Sequence, residues 1–299
     1  MRVSERQKYW ITQERLNRGR TQNVETLNKL STQKEINKVH DNPINMVRAM
    51  KIKDRLAELD SYQSNIDFSK GLLDVTESSI ANMHEKLGRA QELALAMAND
   101  SYDGKNRAIT VKEVREIMRE MIQLANAKYG SRFVFVGFRS LHPPVSQEGD
   151  FLGDDGKLFI QVSPDHFKNI NISGRELFEA SEEEHKAGHF NLMDTIDLLA
   201  EGLEGNSKDA IFRAVDEIAF QMDKLASFQA SVGAVWTAVN DAGKRAEYEQ
   251  LQKKSHLSQI EDADIFKATS DFKRTESVLQ STLLASNKLL QPSLLNFLQ

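Results

Sequence analysis

The sequence predicts a mainly α protein with a small β-rich insertion, in which long N- and C-terminal helices pair as a coiled-coil-like rod. Three observations carry this reading. Apolar residues recur every seven positions in two separate stretches, Ile66 to Ala94 and Ile211 to Ala246. The five prolines stand at 43, 143, 144, 164 and 292, leaving 44–142 and 165–291 without a helix breaker of this kind. Between the two stretches, Gly, Asp and β-branched residues cluster.

The first twenty residues hold six basic side chains (Arg2, Arg6, Lys8, Arg15, Arg18, Arg20) against Glu5 and Glu14. They read either as an export-competent or partner-seeking arm or as a solvated, fraying helix end, and charge alone favours the latter. Asn37 to Pro43 reads as a helix stop and restart, a joint between two rods. Beyond it, Ile52, Leu56 and Leu59 begin an apolar face. From Asn65, Ile66, Leu73, Ile80, Leu87 and Ala94 form one heptad row, and Thr76, Met83, Ala90 and Met97 a second. This is a seam along a helix of about 50 Å at 1.5 Å per residue. The run Asn99–Gly104 reads as a turn, after which Val114, Ile117, Met121 and Leu124 mark a helix running back as a hairpin. Tyr129-Gly130 ends it, and Phe133-Val134-Phe135-Val136 reads as a short strand.

The middle of the chain changes character. His142-Pro143-Pro144 is followed by Gly149, Gly153, Asp155-Gly156, read as a hairpin turn, and the β-rich Leu158–Val162. Helix returns at Asn191 with Leu192, Ile196, Leu199 and Leu203, and breaks at Gly205-Asn206-Ser207. The second seam then carries Ile211, Ile218, Leu225, Val232, Val239 and Ala246, with Val215, Met222, Gln229 and Trp236 four residues after successive members. The last helix carries Ile265, Phe272, Leu279, Leu283, Leu290, Leu294 and Phe297.

This pattern divides the chain into a terminal helical domain (1–43 and 257–299), an inner bundle (44–138 and 191–256) and a β-rich outer domain (139–190). The inner core is expected from Ile66, Leu73, Ile80, Leu87, Ile218, Leu225, Val232 and Trp236. Helix pairing and subunit contact are expected from Val24, Leu27, Leu30 and Ile36 with Leu279, Leu283, Leu290, Leu294 and Phe297. A lone amphipathic helix would leave its stripe in water, so the two ends are expected to meet. An antiparallel bundle with no assembly role would show the same periodicity, and pattern alone does not choose between them.

A net charge of -5 argues against a protein organised around nucleic acid. No window approaches the roughly 18 apolar residues of a membrane span, and Met1 to Leu30 lacks the apolar core of a cleaved signal peptide. The absence of cysteine excludes disulfides and thiol chemistry. His185 and His189 would share a helical face and could take a metal with Glu182 or Glu184, but Gly188 between them argues against that helix and for surface histidines. Asp154-Asp155-Gly156 is a turn, since the register of a calcium loop would start at Phe151 and pass through Gly153. No phosphate-binding loop or nucleophile elbow occurs. Neither catalysis nor a cofactor is expected.

The two ends also carry motifs. Leu30-Ser31-Thr32-Gln33-Lys34-Glu35-Ile36-Asn37 followed by Asp41-Asn42-Pro43 resembles the N-terminal signature of the bacterial flagellin superfamily, Leu-Ser-Thr/Ser-Gly-x-x-Ile-Asn leading to Asp-Asp-Pro, with Gln33 and Asn42 departing from it. Asn65-Ile66, Glu92-Leu93-Ala94 and Leu124-Ala125-Asn126 match the spacing of the family's inner helices. Gln229-Ala230-Ser231-Val232-Gly233 is similar to its Arg-Ala-x-x-Gly, with Gln229 in place of arginine. Ser258-Gln259-Ile260-Glu261-Asp262-Ala263-Asp264 is similar to its Ser-x-Ile-x-Asp-x-Asp. The resemblance covers about 1–138 and 190–299.

Within the superfamily, Met1-Arg2-Val3-Ser4, Tyr129–Gly137 with Pro143-Pro144, and Ser293–Leu298 resemble the hook–filament junction branch more than filament subunits. The resemblance implies a flagellin-like fold whose terminal helices pack with those of neighbouring copies into a hollow tube, the middle domain pointing outward. It implies hook-associated protein 1 and flagellin as partners, with a cytoplasmic chaperone on the C-terminal helix before export. It also implies an extracellular place in the flagellum, reached through the type III apparatus. A short flagellin forming the filament itself is the alternative.

Overall fold

The computed structural model describes residues 2–98 and 104–290. In order, its elements are α1 (Arg2–Thr32), α2 (Pro43–Ala98), α3 (Gly104–Ala125), β1 (Lys128–Tyr129), β2 (Arg132–Phe133), β3 (Phe159–Ser163) and β4 (His166–Asn169). They continue with α4 (Gly174–Phe178), α5 (Glu182–Ala187), α6 (Leu192–Glu204), α7 (Lys208–Glu261) and α8 (Ile265–Leu290). The expected turn at 99–103 lies outside the described residues. The chain forms two compact units, Met1–Glu58 with Glu249–Gln299, and Leu59–Tyr248; α2 and α7 contribute to both. Among the described residues no helix is long and apolar enough to cross a membrane.

The second unit is built on the heptad rows. Ile66, Leu73, Ile80 and Leu87 of α2 are buried in one cluster with Ile218, Leu225 and Val232 of α7. Val114, Ile117 and Met121 of α3 and Ile196, Leu199 and Leu203 of α6 complete it. Each such side chain contributes about 1.5–3 kcal/mol by leaving water. Along α2 and α7, polar side chains fix the alignment: Lys70 Nζ reaches Asn240 Oδ1 at 3.0 Å, and Gln229 Nε2 donates to Glu77 Oε1 at 2.7 Å. Trp236 does not enter the core as expected. It lies half-buried at the margin, where its indole N–H donates to Asp74 Oδ1 at 2.8 Å and Lys70 sits over its ring. An indole has a donor to satisfy, and the helix edge provides the carboxylate. Gly71 is required by close packing, because a Cβ there would stand 2.3 Å from Tyr129 Oη.

The β-rich segment belongs to the same unit, since Val145, Val162, Ile170, Leu177 and Phe178 join that core. Two expectations are corrected here. The strand foreseen at Phe133–Val136 shrinks to Arg132–Phe133, paired antiparallel with β1. Val134 still donates its N–H to Ala127 O at 3.0 Å, but beyond it Phe135 and Val136 are buried without extending the strand. The hairpin turn is at Pro164-Asp165, between β3 and β4, with Asp165 at φ 58. Asp155-Gly156 is instead a clasp. Gly156 O accepts from Asn171 Nδ2 at 2.8 Å, and Asp155 Oδ1 accepts from Ser173 Oγ and Arg175 Nε.

Candidate functional site: the joint and the terminal helix pair

In the first unit, α1 stops at Thr32 because Gln33 takes φ 56, the left-handed conformation in which helices commonly end. Glycine adopts it without strain, and glycine is what the resembled signature has at this position. The joint therefore starts before Asn37. Asn37 Nδ2 donates to Lys34 O at 2.9 Å. Asp41 Oδ2 accepts from the N–H groups of Lys38 (2.8 Å) and Asn37 (3.0 Å), which hold its carboxyl below the usual range. Asn42 Oδ1 accepts from Asn45 N at 3.1 Å and so caps α2, with Pro43 in the first helical position, where a missing N–H costs nothing.

The other crossing is built from the C-terminal motif. Ser258 Oγ donates to Asp262 Oδ2, α7 ends at Glu261, and Asp264 Oδ1 accepts from Phe266 N (2.9 Å) and Lys267 N (3.1 Å) to start α8. The two connections are stitched together. Glu35 N donates to Glu261 O at 2.7 Å and Ala263 N to Gln33 O at 2.9 Å, forming an antiparallel bridge between Lys34 and Asp262. Ile36 is buried in this joint and is not on a helix, so it closes the crossing and does not pair helices as expected.

The carboxylate of Glu261, its side chain 3% exposed, receives Lys34 Nζ at 3.0 Å and Lys53 Nζ. Burial by itself would raise its pKa; hydrogen bonds from Lys53 and Lys34 outweigh burial and hold it below the ordinary range. Nearby, Arg55 binds both oxygens of Glu249, at 2.9 and 3.1 Å. Nothing in the sequence marks Glu261 or its lysines. Glu261 fills a variable position of the quoted motif, and its partners lie 227 and 208 positions away.

α1 and α8 pair along a seam at heptad spacing that is mostly polar or small. On α1 it comprises Thr12, Leu16, Gly19, Asn23, Thr26 and Leu30; on α8, Phe272, Thr275, Leu279, Thr282 and Ser286. Thr275 Oγ1 meets Thr26 Oγ1 at 3.0 Å and accepts from Asn23 Nδ2 at 3.4 Å. Gly19 faces Leu279, whose Cδ1 would lie 3.4 Å from a Cβ there. Leu30 and Leu279 are thus half-buried in the seam, whereas Val24 (53% exposed), Leu27 (42%) and Leu283 (46%) face solvent. Hydrophobicity put those three on the pairing face, but the threonines and asparagine occupy it by hydrogen bonding. The side chain of Leu290, with Leu294 and Phe297, lies outside the described residues. Tyr9, Trp10, Phe266, Val278 and Leu284 are also exposed.

The remaining motif residues contribute less. Ser31 is exposed in the last turn of α1, and Gly233 is exposed, with nothing within 4 Å of where a Cβ would stand. His185 and His189 do not share a face. α5 ends at Gly188, φ 95, and His189 beyond it sets Nδ1 3.0 Å from Glu217 Oε2 and stacks on Phe220. Among the described residues no group of three or more His, Cys, Asp or Glu is placed to hold a metal.

Paired helical ends, a stitched joint and apolar side chains left outside define an assembly protein of the paired-terminal-helix class. The model for the bacterial flagellin N-terminal helical region matches residues 3–139, and that for the C-terminal helical region matches 214–298. The chain belongs to the bacterial flagellin superfamily. It is similar to flagellar hook-associated protein 3 of Salmonella typhimurium, 20% identical over 300 residues that cover 94% of this chain and 95% of that protein. The protein of the same name from Escherichia coli is 20% identical over 275 residues, covering 86% and 87%. Among solved structures, the flagellar junction protein FlgL of Legionella pneumophila shares the fold, with a TM-score of 0.58 over 72% of this chain and 100% of that one at 13% identity.

Proposed function

We propose that this chain is a structural subunit of the bacterial flagellum that joins hook to filament and does no catalysis. The observation that carries the reading is the set of large apolar side chains left exposed along the α1–α8 pair, among them Trp10 at 66%, Phe266 at 90% and Leu284 at 68% exposure. Such side chains gain by being covered, and neighbouring copies repeating the same contact around a ring would cover them. The uncrowded Gly233 supports it, since among the described residues nothing lies within 4 Å of where its Cβ would stand, which leaves room for another chain. Likeness to hook-associated protein 3 along nearly the whole chain favours a junction subunit over a filament subunit.

On this reading its partners are neighbouring copies, hook-associated protein 1 and flagellin, with a cytoplasmic export chaperone on the C-terminal helix before assembly. Its place is the extracellular flagellum, reached through the type III apparatus. Electron microscopy of cells lacking the gene tests this: bare hooks, with flagellin in the medium, are expected. Normal filaments would overturn it, and long filaments grown from the purified chain alone would favour a filament subunit.

A further inference from the structure

Two adjoining hollows in the second unit, of about 750 and 700 Å³, share Ile122, Asn126, Pro143 and Gln147 and make one cleft between α3 and the 138–147 loop. Nothing in the proposed assembly uses it. Its wall is apolar where Ile122, Pro143, Val145 and Leu152 line it, and the loop residues Phe138 and Leu141, next to it in sequence, are 72% and 71% exposed. Around this wall stand Arg119, Lys128 and Arg139, and among the described lining residues there is no carboxylate. In a chain of net charge -5, that is a local inversion of sign. Another hollow of the same unit is lined by Glu176, Glu179, Glu182, Glu184 and Asp223 along with two cations, and a further one sets Glu204 among Arg107, Lys112 and Arg115, so what distinguishes this cleft from those two is cations with no carboxylate among its described lining residues. Arg119 does pair with Glu116 at 2.9 Å, but both side chains are more than half exposed, and such a pair is readily exchanged.

The cleft is preformed. Asn126 Nδ2 donates to Val145 O at 2.9 Å while Asn126 Oδ1 accepts from Val145 N at 3.1 Å, clamping loop to helix. Leu152 N donates to Pro144 O at 2.7 Å and Ser146 N to Asp150 O at 2.9 Å, closing the loop on itself. Little ordering is left to be done on binding. The same clamp decides what the cleft can read. The Asn126 amide is already committed to Val145, so the cleft offers an apolar wall and cations, with Gln123, His142 and Gln147 as further polar lining.

We infer that this cleft docks an acidic peptide segment of a partner protein, one in which an apolar side chain fills the wall between Ile122 and Leu152 and flanking carboxylates meet Arg119, Lys128 and Arg139. This does not depend on the chain's place in the flagellum. The probe is a fluorescein-labelled decapeptide with a central Leu-Phe flanked by glutamates, titrated by fluorescence anisotropy with the full chain. Saturable binding is expected, weakened about tenfold or more by R119E/R139E and about fivefold by Leu152→Ser. Arg139→Gln, which adds no charge, provides an intermediate loss if the double variant melts early. No binding at millimolar chain, equal affinity for the lysine-for-glutamate peptide, or indifference to these variants would overturn the inference. So would a tetragalacturonate probe that binds as tightly and is lost in the same variants, which would assign the cleft to acidic saccharides.

Discussion

Glu261 is an anion under cover, and Lys34 and Lys53 are what make that tolerable. Removing its charge with Glu261→Gln should destabilise the first unit by about 2 kcal/mol, less than for a fully buried pair because both lysines can rehydrate. Faster amide exchange at Glu35 and Ala263, whose N–H groups stitch the joint, is the readout. The pH dependence follows from the lowered pKa. The stabilisation is fully present above the ordinary value of about 4.5 and is lost as pH falls through the lower folded value, so acid loosens the joint and the Gln variant lacks that slope. Gln33→Gly should stabilise by about 0.5 kcal/mol, the left-handed strain relieved less the added freedom of the unfolded chain, whereas Gln33→Val should destabilise; urea titration measures both. These residues illustrate what the sequence conceals. A solvated and a buried glutamate are the same letter, and only the meeting of distant segments separates them.

At the scale of elements, the rows of α2 and α7 are legible because their spacing and their apolar character coincide. Leu87→Ala should therefore cost about 3 kcal/mol by the cavity it leaves, while Val24→Ala should change stability by less than about 0.5 kcal/mol; thermal unfolding distinguishes them. The seam between α1 and α8 keeps the spacing but is mostly Thr, Asn, Gly and Ser, so apolar periodicity reveals only part of it, Leu30 and Leu279, and points also to Val24 and Leu27, which face solvent. Trp236 departs from expectation for a related reason: its size suggests a core, but its N–H needs Asp74. In the β-rich segment, Asp155-Gly156 carries a turn signal as strong as Pro164-Asp165, and only the register of β3 on β4 decides which one turns a hairpin.

At the scale of the whole molecule, stability and assembly should separate. Leu283→Ser and Leu284→Ser remove exposed apolar side chains, so the purified chain should melt within about 1 °C of the parent, while motility and the recovery of the chain in isolated hook–filament preparations should fall. An equal loss of melting temperature would place these leucines in internal packing. The hydrogen bond between Thr26 and Thr275 joins positions 249 apart. During synthesis α1 emerges early and waits for almost all of the chain described before its partner exists, an interval in which an isolated helix of this polarity is barely stable. A seam in which hydroxyl and amide groups and a glycine outnumber Leu16, Leu30, Phe272 and Leu279 suits that interval. Unlike a leucine stripe, it offers passing proteins little to stick to, and it recognises its own late-arriving counterpart by hydrogen-bonding pattern.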